Sequence, residues 1–208
     1  MQLIGLSGKA GTGKNYLARH LLAPHGFREA ALADEIKIRG VALGVGTYEE
    51  LFHAKPAHTR DWLQQEGTER GREQYGVDVW INAMMARLTR VEETWGIGTF
   101  VVTDVRFPNE VEVLQAHGGR VFRIEAPERA AASLLSDAAR AHPSETALDD
   151  YEHFDGWIFN DPIYAHTVAW QLHMLLLRGG TLDQVPNFDG PISEQEKLLW
   201  KVIGMAWQ

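Results

Sequence analysis

No cysteine occurs among the 208 residues. Disulfides, zinc–thiolate centres and cysteine nucleophiles are thereby excluded, and a reducing cytoplasm suits the chain. Long apolar runs are also missing. The stretch 171–177 falls far short of the roughly 20 residues a spanning helix needs, so no membrane partner is expected. The first residues hold no basic segment leading into a long apolar one, which makes a cytoplasmic location the expectation. Positive charge is scarce: 20 basic residues against 28 acidic give a net charge of −8. DNA or RNA is a poor partner for such a surface unless acidity elsewhere masks a basic groove. Lysine is the scarcer base, with 6 against 14 arginines. The arginine fork binds phosphate in a bidentate way, which favours a small phosphorylated ligand in a cleft.

What is present begins at the N-terminus. An apolar strand over residues 2–6 runs into Ser7-Gly8-Lys9-Ala10-Gly11-Thr12-Gly13-Lys14. The spacing Gly8-x-x-x-x-Gly13-Lys14 is that of a phosphate-binding loop. Glycines let the backbone curl so that successive N–H groups face phosphate oxygens, and a following helix adds its positive dipole end. Lys14 brings a full charge. Gly8, Lys9, Ala10, Gly11, Thr12, Gly13, Lys14 and Asn15 are therefore the candidate ATP-phosphate contacts. Asn15 stands where serine or threonine would place a hydroxyl on Mg²⁺, and its amide oxygen is a weaker ligand.

Strand and helix signals alternate along the chain, as in a parallel α/β sheet. At this length one domain is expected. A helix is expected from Lys14 to near Ala23, a short strand over 27–33 and a helix over 34–42. Residues 48–90 read as a helical insert, ended by Gly96 and Gly98. A buried strand over 99–103 is followed by a helix over 108–117, a strand over 120–125 and an alanine-rich helix over 128–141. A last short strand covers 156–159 and a core helix 163–177. The tail from Thr181 forms an extension over 181–208. No internal repeat is evident.

Asp104 closes the strand over 99–103, at the end of the sheet where open α/β folds bind ligands. It suits Mg²⁺ or its waters, or else caps the next turn. Arg106 clamps a phosphate or pairs with Asp104. Asp34, at the end of the second expected strand with Lys37 and Arg39 after it, faces the same cleft or serves as an N-cap. Glu110 suits the first turn of its helix. The segment Gln64-Gln65-Glu66-Gly67-Thr68-Glu69-Arg70-Gly71-Arg72 joins amide, hydroxyl and guanidinium groups with two glycines, each costing about 1 kcal/mol inside a helix. A loop or helix break beside a ligand is expected there, with a salt-bridged turn as the alternative. Trp62 and Trp80 stack on a base or pack in the insert. His142-Pro143-Ser144-Glu145 reads as a turn into a short helix with Ser144 as N-cap. The nine histidines show no metal spacing.

Together these segments resemble the phage-type deoxynucleoside monophosphate kinases. The specific matches are Gly67-Thr68-Glu69-Arg70-Gly71-Arg72 and Asp104-Val105-Arg106-Phe107-Pro108-Asn109-Glu110. The phosphate loop, Asp78-Val79-Trp80, Gly118-Gly119, His142-Pro143-Ser144-Glu145 and Asn160-Asp161 support them. The resemblance spans residues 1 to about 177. It implies a P-loop, nucleoside-monophosphate-kinase-like fold with a helical insert (about 48–95) and a helical lid (about 126–145). It also implies ATP, Mg²⁺ and a deoxynucleoside monophosphate acceptor. Lys14, Asp34, Asp104 and Arg106 would then be catalytic, with Asn15 and Asp104 toward the metal. Gln65, Thr68, Arg70, Arg72 and Arg106 would lie on the acceptor side, joined by Asp34, Arg39, Trp80 and Glu110. Among Arg123, Arg129 and Arg140, the lid arginine Arg129 is the one assigned to ATP. Two other readings stand beside this one: a kinase acting on a hydroxymethylated pyrimidine in phage DNA, and an ATP-binding module without turnover. A homodimer is compatible with all three.

Overall fold

The computed structural model describes residues 1–131 and 136–160. All of them fall in one compact unit, Met1–Val168. The core helix expected over 163–177 and the extension over 181–208 lie outside the described residues.

Five parallel strands form one sheet in the order β2-β3-β1-β4-β5. They are β1 (Gln2–Ser7), β2 (Arg28–Ala30), β3 (Thr99–Val105), β4 (Arg120–Glu125) and β5 (Gly156–Phe159). β1 and β3 are near-continuous apolar runs because helices cover both faces of a parallel sheet. Ile4, Leu6, Val101 and Val102 are all buried. The chain first fills the β2 and β3 side of β1, then crosses to β4 on the other side. Such a reversal leaves a crevice at the carboxyl ends of the central strands. The phosphate loop leaves β1 there, beside Asp104 of β3 and Arg123 of β4.

Helix α1 (Lys14–Leu17) continues in wider turns through Ala18–Leu22 and ends before Pro24. Helix α2 (Leu32–Ala42) starts earlier than expected, and β2 is correspondingly shorter. The reason is distant in sequence. The Asp104 carboxylate accepts the N–H groups of Leu32 (2.8 Å) and Ala33 (2.9 Å) and so caps α2 from β3. Asp34 therefore sits in the first turn of α2 and not at a strand end. β3 itself runs two residues further than expected, so Asp104 lies within it.

The insert is helical. Glu50–Ala54 forms a short turn. Helix α3 runs over Ala57–Gln64 and on without a break through Gln65–Arg70, in wider turns, and Gly71–Tyr75. The break expected at Gly67 and Gly71 does not occur. Those glycines admit close neighbours instead. A Cβ on Gly67 would lie 2.8 Å from Ile36 Cδ1, and one on Gly71 2.3 Å from the Glu66 carbonyl oxygen and 2.4 Å from Trp80 Cζ2. Helix α4 (Val79–Trp95) then buries Trp80, Ile81, Met84, Met85 and Leu88 in one cluster with Leu3, Phe100, Val102 and Leu114. We expect Gly71→Ala to lower the unfolding free energy in urea by about 2 kcal/mol, because overpacking a buried indole outweighs the gain in helix propensity. An unchanged midpoint would show that both the Glu66 carbonyl and Trp80 can move aside.

Helix α5 (Pro108–Ala116) begins on Phe107, with the Glu110 side chain accepting the N–H groups of Arg106 (2.7 Å) and Phe107 (3.1 Å). Glu110 thus caps its own helix. The alanine-rich helix expected over 128–141 is not continuous. Pro127–Ala131 and Asp137–Arg140 are separate helical turns, the second started by the Ser136 hydroxyl accepting Ala139 N–H at 3.3 Å. Residues 132–135 lie outside the described set. The turn Pro143–Thr146 is capped by His142, whose Nδ1 accepts Ser144 N–H at 3.2 Å, so Ser144 is not the cap.

Candidate active site

The loop after β1 needs glycine at particular points. Gly8 has φ +139°, and a Cβ there would lie 2.4 Å from the Ile124 carbonyl oxygen of β4. At Gly13, φ is +91° and a Cβ would lie 2.3 Å from Asn160 Nδ2. The loop is wedged between the ends of β4 and β5. Asn160, just past β5, donates from Nδ2 to Thr12 O at 2.8 Å, and its own N–H donates to Glu125 O at 2.7 Å. Arg129 donates to Asn160 O at 3.1 Å, which puts a guanidinium beside Gly13.

Lys14 curls over the loop, donating to Gly8 O (2.6 Å) and Lys9 O (2.9 Å). Burial, with Arg106 and Arg123 adding repulsion, lowers its pKa to about 8. A buried ammonium resting on carbonyls is poised to take an anion. Lys9 pairs with Asp149 at 2.5 Å, and the buried Arg123 reaches Ser7 Oγ and Asp149 at 3.4 Å each. Asn15 is exposed in the first turn of α1.

A cavity of about 360 Å³ opens beside the loop, with Asp104, Arg106, Phe107 and Glu110 on one side and Gln64, Gly67, Thr68, Arg72 and Trp80 on another. His142, Ser144 and Glu145 complete its rim. Arg72 lies 4.0 Å over the Phe107 ring and pairs with Glu110 at 2.5 Å. Burial pushes the Glu110 carboxyl up to about 7, against the opposing pull of the Arg106 N–H and Arg72. Arg106 pairs with Glu145 and donates to Ser144 O at 3.2 Å; it does not pair with Asp104. The Trp80 Nε1 is buried with no hydrogen-bond partner.

Of the residues expected at an acceptor site, Thr68, Arg72, Trp80, Arg106 and Glu110 line this cavity, and so does Asp104, expected toward the metal. Four others do not. Asp34 pairs with Lys37 at 2.7 Å. Arg39 is held by Glu66 (2.8 Å) and Tyr75 (3.1 Å). Gln65 accepts from Arg70 at 3.3 Å, and both are exposed. The amide that faces the cavity is Gln64, one turn before Thr68 on α3.

Among the described residues no three histidine, aspartate or glutamate side chains cluster as a metal site. Asp104 nevertheless suits Mg²⁺. Its carboxylate is half-buried on the cavity wall, makes no ion pair among the described residues, and is pushed upward in pKa by desolvation. A hard cation that keeps most of its water and phosphate ligands needs only one or two such oxygens. No described helix is long and apolar enough to cross a membrane.

No family model matches the chain. A protein of Acanthamoeba polyphaga mimivirus, provisionally named a deoxynucleotide monophosphate kinase, is 25% identical over 77% of this chain and 89% of its own length. The solved Thermus thermophilus protein TT1252 is 17% identical, covering 84% of this chain and 97% of its own, with a TM-score of 0.51. Shikimate kinase from Bacteroides thetaiotaomicron has a TM-score of 0.48 at 16% identity, with 84% of this chain and 97% of its own covered. The five-stranded parallel sheet, with the phosphate loop following its first strand, shares its fold with TT1252.

Proposed function

We propose that this chain transfers the γ-phosphoryl of ATP to the phosphate of a deoxynucleoside 5′-monophosphate, giving ADP and the diphosphate. The observation that carries the reading is the cavity beside the phosphate loop, with two guanidiniums, Arg72 and Arg106, on its lining. Arginine forks bind phosphate oxygens in pairs. The apolar walls at Ile36, Trp80 and Phe107 suit a base, and the Gln64 amide and Thr68 hydroxyl suit its polar edge. The mimivirus relative's name points the same way and favours a viral setting.

In this scheme the loop N–H groups and Lys14 hold the donor's phosphates, and Arg129 lies near enough to join them. Arg106 holds the acceptor phosphate. Mg²⁺, when bound with the nucleotide, would be held through Asp104, with Asn15 as a weaker oxygen donor, and would supply charge neutralisation between phosphates. Catalysis is then positioning and electrostatics, with little covalent chemistry for the side chains.

A coupled ATP-to-ADP assay across dAMP, dGMP, dCMP, dTMP and hydroxymethylated duplex DNA tests this. Turnover with one or more monophosphates is the expected result. Turnover with DNA alone would replace the acceptor, and none with any acceptor despite ATP binding would replace the activity.

A further inference from the structure

The carboxylate of Glu145 stands between the phosphate loop and the cavity. Its Oε2 accepts the Ala10 N–H at 3.1 Å, and its Oε1 pairs with the Arg106 guanidinium. The main-chain oxygen of the same residue accepts from Lys9 Nζ at 2.6 Å. Only 10% of the side chain is exposed. A loop N–H and a guanidinium, converging on one pair of oxygens, are the donors that recognise a phosphoryl group. Here a carboxylate of the chain itself fills that place.

Local structure does not require it to be there. The four-residue turn that carries Glu145 is capped by His142 through Ser144 N–H. Four residues beyond Glu145, Asp149 pairs with Lys9 and Arg123. One segment, 142–149, therefore brings two carboxylates onto a cluster of four cations: Lys9, Lys14, Arg106 and Arg123. Those cations repel one another, and Glu145 offsets the repulsion felt at Lys14.

We propose that Glu145 is an internal stand-in for a phosphoryl group. It fills the anion site between loop and cavity, and an incoming phosphoryl displaces it together with the turn Pro143–Thr146, while Leu148, buried in the core, holds the segment beyond. That the incoming group belongs to ATP or to the acceptor rests on the kinase reading above; the competition itself does not. Arg106 changes partner in the exchange, from Glu145 to the ligand, which couples ligand arrival to movement of the turn.

Inorganic tripolyphosphate, which has neither base nor sugar, is the probe. Calorimetric titration of the full chain should show Glu145→Gln and Glu145→Ala binding it about tenfold more tightly than the unaltered protein, a coupling of ordinary size. Glu93→Gln, an exposed charge distant in the chain, should stay within about twofold, since a lone surface charge contributes little. In the unaltered protein, tripolyphosphate should speed amide exchange across 144–147 while slowing it at Ala10. Equal or weaker binding in both Glu145 variants overturns the proposal, as does exchange in 144–147 that slows with the ligand. A failed turnover assay leaves these readings intact, and their failure leaves the kinase reading intact.

Discussion

Lys14→Ala should lower kcat/KM for ATP by about 10³-fold, the scale lost when a preorganised electrostatic contact to a reacting group is removed. The folded chain should tolerate the change. Among the described residues Lys14 donates only to Gly8 O and Lys9 O, and its pKa has fallen to about 8 from 10.5. The sign of the linkage follows. With the folded value below the unfolded one, the charged form burdens the native state below pH 8, and that burden lifts as pH rises from 8 toward 10.5. At neutral pH, deleting the amine should therefore not lower the melting temperature. The same shift gives a second reading on one variant. Phosphate beside Lys14 should restore its pKa, so ATP binding at pH 9 should take up roughly one proton, seen as a buffer-dependent heat. Lys14→Ala should show no such uptake. Retained turnover, or uptake in both proteins, would move the phosphate contact elsewhere.

Much of the fold was legible because its signals are local. β4 lies between Gly118-Gly119 and Pro127, and both it and β5 occupy the residues that the apolar pattern assigns. The errors have non-local causes. Leu32 and Ala33 read as strand because nothing nearby announces a helix start; the cap is supplied by Asp104 across the sheet. Gly67 and Gly71 read as a break because glycine weakens a helix taken alone. Ile36 and Trp80, packed into the space those glycines leave, decide otherwise.

The site shows the same division. Arg72, Trp80, Asp104 and Arg106, which the resemblance puts toward the reaction, line the cavity. Of the amide pair, Gln64 and not Gln65 lines the cavity. On a helix the residue sharing a face with Thr68 is Gln64, at i and i+4, and a segment taken for a loop forfeits that inference. Asn160 was singled out only by resemblance, and its hold on Thr12 spans more than a hundred residues of chain. Glu145 read as part of a turn, since a carboxylate seated on a loop N–H has no signature in spacing.

Asp104→Asn separates two tasks that one side chain can perform. As a cap, Asp104 accepts two backbone N–H groups, and an amide can accept only on its oxygen. That loss costs about 1–2 kcal/mol. Against it stands the relief of a carboxylate whose pKa desolvation has pushed upward. The net change in stability should therefore stay within about 1 kcal/mol at neutral pH. The balance should also move with pH. A carboxyl raised above its unfolded value of 3.8 gives stability that is lost as pH rises through the folded value. The variant should thus compare better with the parent at pH 8 than at pH 4, by urea denaturation. Turnover should fall much further, by about 10²-fold, because the amide carries no charge to set against Mg²⁺. If activity falls only as far as the folded fraction does, and cooling restores it, Asp104 is a cap for α2 and the metal is held elsewhere.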